Sequence, residues 1–77
     1  GPDRTDQRLS YKEARELAEV EARIASDEAR QAEIEAALAA NPSDFETVTA
    51  LSAELDELAI RMSRDMERWA ELAARAE

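Results

Sequence analysis

Two heptad ladders of apolar residues, separated by a short break, constrain the fold of this chain more than any other feature. The first ladder runs from Leu17 to Leu38 and the second from Val48 to Leu72, with successive members three and four positions apart. A repeat of 3.5 residues keeps a narrow apolar seam facing one partner helix, so it is typical of a coiled coil and not of a broad globular core. The ladders therefore predict an all-α fold, an antiparallel two-helix coiled-coil hairpin.

Capping signals place the ends of both helices. Ser10 and Glu13 have the spacing of a capping box, and Ser43 and Glu46 repeat that spacing after the break. Asn41-Pro42 ends the first helix, since Asn tolerates the left-handed conformation that closes helices and Pro cannot extend the helix before it. The predicted elements are helix 1 at about 11–40, a turn at 41–43 and helix 2 at about 44–75, within one hairpin domain at 10–77.

The residues before the hairpin and the missing residue types narrow the class of protein. Gly1-Pro2 resembles the scar of a removed purification tag, and positions 3–9 are expected to be the tail of a linker. The chain has no Cys and no His, which excludes disulfides, the usual zinc sites and an imidazole base. We therefore expect no metal and no cofactor, and the lack of Cys fits the reducing cytoplasm, where we expect the protein to be. No apolar run approaches the length of a membrane span, so no contact with a membrane is expected.

Two aspartates interrupt the seam, and the register between the helices is open. One register places Leu17 opposite Asp65 and the other places it opposite Leu72, and in neither does Asp27 face Asp65. A carboxylate that faces apolar side chains needs a partner. Each aspartate has an arginine four residues before it and another three residues after it, and these same-helix arginines are expected to cover it. The arginines are Arg23 and Arg30 around Asp27, and Arg61 and Arg68 around Asp65.

Two aromatic residues are assigned to packing. Trp69 occupies a ladder position, so it is predicted to be a core anchor and not a platform on which a nucleic-acid base stacks. Tyr11, in the first turn of helix 1, is predicted to pack against Trp69 or Leu72 and to close that end of the rod.

Charge is divided unevenly along the predicted rod. The chain has 10 basic and 19 acidic residues, a net charge of -9, and no Lys or Arg lies between Gln31 and Ile60. All cations thus belong to the end that carries the chain termini, here called the terminal end, while the turn end is acidic. One interpretation is a solvated surface with ion pairs within each helix, and the other is a strip that contacts phosphates. The predicted nucleic-acid contacts are Arg8, Lys12, Arg15, Arg61, Arg64 and Arg68.

No pattern of a catalytic site is present. The single Gly is the first residue, so there is no Gly-rich phosphate loop, and a Ser-His-Asp or Cys-His site is impossible. Carboxylates on solvated helices lack the apolar pocket that would tune their pKa for acid-base chemistry. The chain is predicted not to be an enzyme.

Two short motifs lie near the ends of the predicted hairpin. The first is Leu9-Ser10-Tyr11-Lys12-Glu13, followed by Arg15-Glu16-Leu17 and Ala22-Arg23-Ile24. The second is Glu67-Arg68-Trp69 with Glu71-Leu72. Together they resemble the C-terminal domain of Uup-type ABC-F ATPases, and the resemblance covers about residues 9–74. The chain departs from that family at Asp27 and Gln31, where seam residues are usually apolar, and in its short connection at Asn41-Pro42.

The resemblance implies a non-catalytic accessory domain, joined by a linker to two ATP-binding cassettes of a parent ATPase that acts on the ribosome. It implies contact with DNA, ribosomal RNA or the ribosome through the cations of the terminal end. The alternative is a structural or protein-interaction coiled coil that orders the parent ATPase or self-associates as a weak homodimer. Neither hypothesis involves a membrane.

Overall fold

The computed structural model describes residues 8–76, which form two long helices joined by a tight turn. Helix α1 covers Tyr11–Ala39 and helix α2 covers Phe45–Ala76. The two helices pack against each other in a rod of 63 × 16 × 15 Å, and residues 8–76 contain no strand. The predicted helical hairpin is therefore confirmed. The predicted tag scar and most of the predicted linker tail, residues 1–7, lie outside the described residues.

The first turn of α1 has the predicted capping box. The Ser10 hydroxyl accepts from the backbone N–H of Glu13 at 3.0 Å, and the Glu13 carboxylate accepts from the backbone N–H of Ser10 at 3.1 Å. Two backbone donors that have no partner within the helix are thereby satisfied. At the other end Asn41 has a φ of 57°, the left-handed conformation that closes a helix.

The start of α2 differs from the predicted capping box at Ser43 and Glu46. The cap is Asp44, whose carboxylate accepts from the backbone N–H of Glu46 at 3.3 Å and from the Thr47 hydroxyl. An aspartate carboxylate is as good an acceptor as a serine hydroxyl and also interacts favourably with the positive end of the helix dipole. These contacts lower the pKa of Asp44, first through the Thr47 hydrogen bond.

Burial along the seam is asymmetric. We letter the heptad a to g, so that the first ladder begins with Leu17 at a and Val20 at d. The buried residues of α1 are all at d: Val20, Asp27 and Ile34. Those of α2 are at d except for Met62: Leu58, Met62, Asp65 and Leu72. The other a positions are half-buried or exposed, so one side of the seam is covered much better than the other.

Both aromatic predictions were wrong. Trp69 is 40% exposed, so it is not a core anchor, and Tyr11 is 80% exposed, so it does not close the end of the rod. Trp69 is at an a position, on the poorly covered side, where its indole N–H donates to Glu21 at 3.0 Å. Tyr11 lies on the solvated surface of the first turn, where the Arg15 guanidinium is 6.0 Å from its ring centre.

Candidate functional site

The two seam aspartates are bound by arginines of the opposite helix. Arg23 donates from Nε and Nη2 to Asp65 at 2.7 and 2.8 Å, and Arg61 donates in the same way to Asp27 at 2.8 Å for both bonds. The prediction that same-helix arginines cover each aspartate was wrong. The interhelical bonds also select the register in which Leu17 lies opposite Leu72, because that register brings Asp65 level with Ile24, next to Arg23.

Three further ion pairs join the helices on the same side of the seam. Arg30 binds Glu54 and Arg68 binds Glu16, each through two hydrogen bonds of 2.7 to 2.8 Å. Arg75 binds Glu13 at 2.7 and 3.0 Å and links the two helix ends. All five arginines occupy g positions, next to the buried d positions. We call this side, defined by Arg23, Arg30, Arg61, Arg68, Arg75 and their partners, the paired face.

The pairs of the paired face follow an internal repeat. Rotation of one helix onto the other exchanges Arg23–Asp65 with Arg61–Asp27, and Arg30–Glu54 with Arg68–Glu16. The same 38-residue offset relates Leu17 to Leu55, and the i,i+3 pair Arg30–Glu33 to Arg68–Glu71. The hairpin is thus a pseudo-twofold arrangement of one charge pattern. Sequence reasoning noticed the repeated Arg-Asp-Arg spacing but not that Glu16 and Glu54 belong to the same repeat.

These hydrogen bonds keep the carboxylates ionised. The Arg61 hydrogen bond lowers the pKa of Asp27, and the Arg23 hydrogen bond lowers the pKa of Asp65, in both cases against the opposing effect of burial. The pKa of Glu13 falls from its ordinary 4.5 to about 2, mainly through the hydrogen bond from Arg75 and then through that from the Ser10 backbone. No buried side-chain polar atom in the described part of the chain lacks a partner.

Two of the six predicted nucleic-acid contacts already bind carboxylates of the other helix. Arg61 and Arg68 each place Nε and Nη2 on a carboxylate of α1. Their side chains are still 53% and 38% exposed, so the outer edge of each guanidinium reaches solvent. A substitution at either position would disturb the interface between the helices as well as the surface charge.

The other four predicted contacts take no part in the ion pairs of the described residues. Within residues 8–76, Arg8, Lys12, Arg15 and Arg64 form no ion pair with a carboxylate. Lys12 and Arg64 are both at c positions, which border the paired face, and Arg15 is at the outward f position. The structure therefore places these cations on the terminal half of the rod without gathering them into one compact patch.

The opposite side of the seam is uncovered. It is formed by the a and e positions of both helices, and we call it the uncovered face. Its a residues include the half-buried Leu17, Ile24 and Leu55, and its e residues include Ala59 and the 46% exposed Met66. No Lys or Arg occupies an a or e position of either helix, and the e positions of α1 include three glutamates, Glu21, Glu28 and Glu35.

A groove runs along the uncovered face beside α2. Its lining is mostly small or apolar and comprises Gln31, Ala59, Met62, Ser63, Met66, Glu67 and Ala70. Trp69 precedes Ala70 of this lining in the chain and occupies the a position after Met62, and its indole N–H donates to Glu21. The sequence signal for this face is the set of small residues at e positions of α2, Ser52, Ala59 and Ala73.

Neither face has the features of a catalytic centre. The two buried aspartates are each held by an arginine of the other helix, and Glu13, Glu16 and Glu54 are paired with arginines as well. Among residues 8–76, no group of three acidic side chains is arranged to hold a metal ion. Over the same residues, neither helix has a segment that is both long and apolar enough to span a membrane.

Comparison with known proteins identifies the family. The model of the ABC transporter C-terminal domain matches residues 8–74. The chain is 36% identical over 72 residues to an uncharacterized ABC transporter ATP-binding protein, YfmR, of Bacillus subtilis (strain 168). The match covers 94% of this chain but only 11% of the relative. No solved structure matches the chain. The family match, which covers nearly the whole hairpin, shows that the chain belongs to the ABC transporter C-terminal domain family.

Proposed function

We propose that the hairpin is a non-catalytic accessory domain that contacts nucleic acid, DNA or ribosomal RNA, through the terminal end of the rod. The observation that carries the proposal is the set of four cations without a carboxylate partner in the described chain: Arg8, Lys12, Arg15 and Arg64. Phosphate contacts need cations that are not neutralised by neighbours. The turn end, with no Lys or Arg from Gln31 to Ile60, points away from the phosphates.

Arg61 and Arg68 have a secondary role in this proposal. Both pairs use Nε and Nη2, and Nη1 of Arg61 has no hydrogen bond among residues 8–76, whereas Nη1 of Arg68 lies 3.6 Å from the Glu71 carboxylate. A guanidinium has five N–H donors, so a paired arginine still has donors for a phosphate. The net charge of -9 opposes approach to a polyanion, and the parent protein would have to hold the hairpin near its target.

The test uses a triple variant, Lys12→Gln, Arg15→Gln and Arg64→Gln, which leaves every interhelical pair intact. Its matched control, Ala36→Glu, Ala50→Glu and Ala53→Glu, changes the net charge by the same amount at exposed positions outside the proposed contact. Affinity for duplex DNA and for a ribosomal RNA hairpin is measured at 50 and 200 mM salt. The triple variant should bind more weakly, with the salt slope for duplex DNA reduced by about 0.9 per lost contact.

A smaller loss in the control variant supports local contacts, since both variants have the same net charge. Equal losses would mean that only the overall charge matters and would remove these residues as contacts. If the unmodified hairpin binds neither nucleic acid at the lower salt, the alternative leads: a protein-interaction hairpin that orders the parent ATP-binding protein.

A further inference from the structure

The uncovered face resembles a coiled coil that lacks one helix. In a two-helix coiled coil the a and d positions share the seam, but here d is buried and most of a is not. The reason is the paired face: five arginines at g close over the d side, and no equivalent residues at e close over the a side. Apolar a residues such as Ile24, Leu55 and Trp69 therefore remain partly accessible along the rod.

The shape of this face suits close approach of another helix. The e and b positions of α2 beside the groove are Ala59, Ser63, Met66 and Ala70. Three of these side chains are small, so a neighbouring backbone can come near, and methionine adapts its shape to a partner. None of these four side chains is branched.

The negative charge of the uncovered face indicates what kind of partner it can bind. Glu28 and Glu35 lie at e positions of α1 and Glu67 lines the groove, and within residues 8–76 none of them forms an ion pair. A second copy of the hairpin would bring the same carboxylates and a net charge of -9 against them. Nucleic acid is repelled by the same groups. A helix with apolar residues at its seam positions and Lys or Arg beside them satisfies both the groove and the carboxylates.

We propose that the uncovered face is a docking site for one cationic amphipathic helix of a protein partner, which completes a three-helix coiled coil. Apolar side chains of the incoming helix enter the groove between Gln31 and Met66, and its basic side chains reach the glutamates at its edges. The proposal is independent of nucleic-acid contact, since it uses the opposite side of the seam from the paired face.

The test uses the unmodified chain and a synthetic 28-residue helical peptide with Leu at a and d and Lys at e and g. The peptide has no aromatic residue, so the fluorescence of Trp69, the single Trp of the chain, reports events next to the groove. The expected result is a saturable change in Trp69 emission, with one peptide bound per hairpin by sedimentation. A second peptide with Glu in place of every Lys should produce no change.

Two variants with the same added charge separate the groove from general attraction between opposite charges. Ala59→Glu places a carboxylate in the groove, and Ala53→Glu places one at an exposed position on the outer side of the same helix. The proposal requires at least tenfold weaker binding for Ala59→Glu and little change for Ala53→Glu. Equal affinities, or tighter binding by Ala59→Glu, would mean attraction by charge alone and would overturn it. Self-association that Ala59→Glu abolishes in the absence of peptide would also overturn it, because the occupant would then be a second copy.

Discussion

At the scale of single residues, each seam aspartate depends on one arginine that lies beside the opposing seam residue. Asp27 is 5% exposed and Asp65 is 8% exposed, so a carboxylate at either place would be costly without its partner. The partners, Arg23 and Arg61, keep about half of their side chains in solvent. The two members of each pair are therefore not equivalent. Loss of the arginine leaves a buried carboxylate without a partner, whereas loss of the aspartate leaves a guanidinium that water can solvate.

This difference predicts opposite effects for the two halves of one pair. Asp27→Leu should raise the free energy of unfolding by about 1 kcal/mol or more, because an apolar residue replaces a buried carboxylate. Arg61→Met should lower the melting temperature by roughly 5 °C or more, because Asp27 stays buried without its hydrogen bonds. Thermal unfolding followed by circular dichroism at pH 7 measures both.

Arg64→Met is the control for Arg61→Met, since Arg64 lies one turn away on the same helix and has no ion pair among the described residues. Its melting temperature should stay close to that of the unmodified chain. A stabilising Arg61→Met, or a destabilising Asp27→Leu, would contradict the assignment of Asp27 as a buried charge that depends on Arg61.

Glu13 offers a test by pH. Its pKa is lowered to about 2 by Arg75 and by the Ser10 backbone, so its contribution to stability is full above its unfolded pKa near 4.5 and is lost as pH falls toward 2. Glu13→Gln keeps a side chain able to complete the capping box but removes the charged pair. The melting temperature of Glu13→Gln should lie below that of the unmodified chain above pH 5, and the difference should shrink between pH 4.5 and 2. A difference that does not depend on pH would contradict an ion pair as its source.

At the scale of the helices, heptad periodicity and capping residues were sufficient to predict the hairpin. The backbone hydrogen bonds of a helix are local, and the apolar residues that pack between the helices are visible in the sequence by their spacing. The ion pairs were not predictable to the same degree. They depend on the register between the two helices, and the ladders fit two registers equally well. The hydrogen bonds between Arg23 and Asp65 in the structure select one of them. The uncovered face was missed for a related reason: heptad spacing treats a and d alike, and only the arginines at g make them differ.

The internal repeat predicts that two symmetry-related ion pairs contribute similarly to stability. Exchanging the charges of one pair, Arg30→Glu with Glu54→Arg, should recover part of the melting temperature that each single change loses. The symmetry-related exchange, Glu16→Arg with Arg68→Glu, should recover a similar amount, since both pairs have the same geometry and similar exposure. The coupling is read from double-mutant cycles by thermal unfolding. Recovery in one cycle and none in the other would show that the pseudo-twofold relation does not extend to energetics.

At the scale of the whole molecule, the hairpin presents two sides with different chemistry on a thin rod. The paired face is closed by five interhelical ion pairs and shows guanidinium edges, while the uncovered face shows apolar a positions and glutamates. The two partners proposed above use different parts of the rod, a nucleic acid the cations of the terminal end and a protein helix the groove. The net charge of -9 affects both proposed contacts, and it opposes any pairing of two hairpins.

Weak pairing of hairpins, expected from the sequence, should therefore depend on salt. Two chains of charge -9 repel each other over a screening length of about 30 Å at 10 mM salt, and far less above 100 mM, where that length is about 10 Å or shorter. Sedimentation at high protein concentration should show a larger dimer fraction at 500 mM than at 10 mM salt, while circular dichroism confirms equal helix content. A dimer fraction that falls as salt rises would instead indicate ion pairs between chains, with the arginines of the paired face exchanging partners between two hairpins.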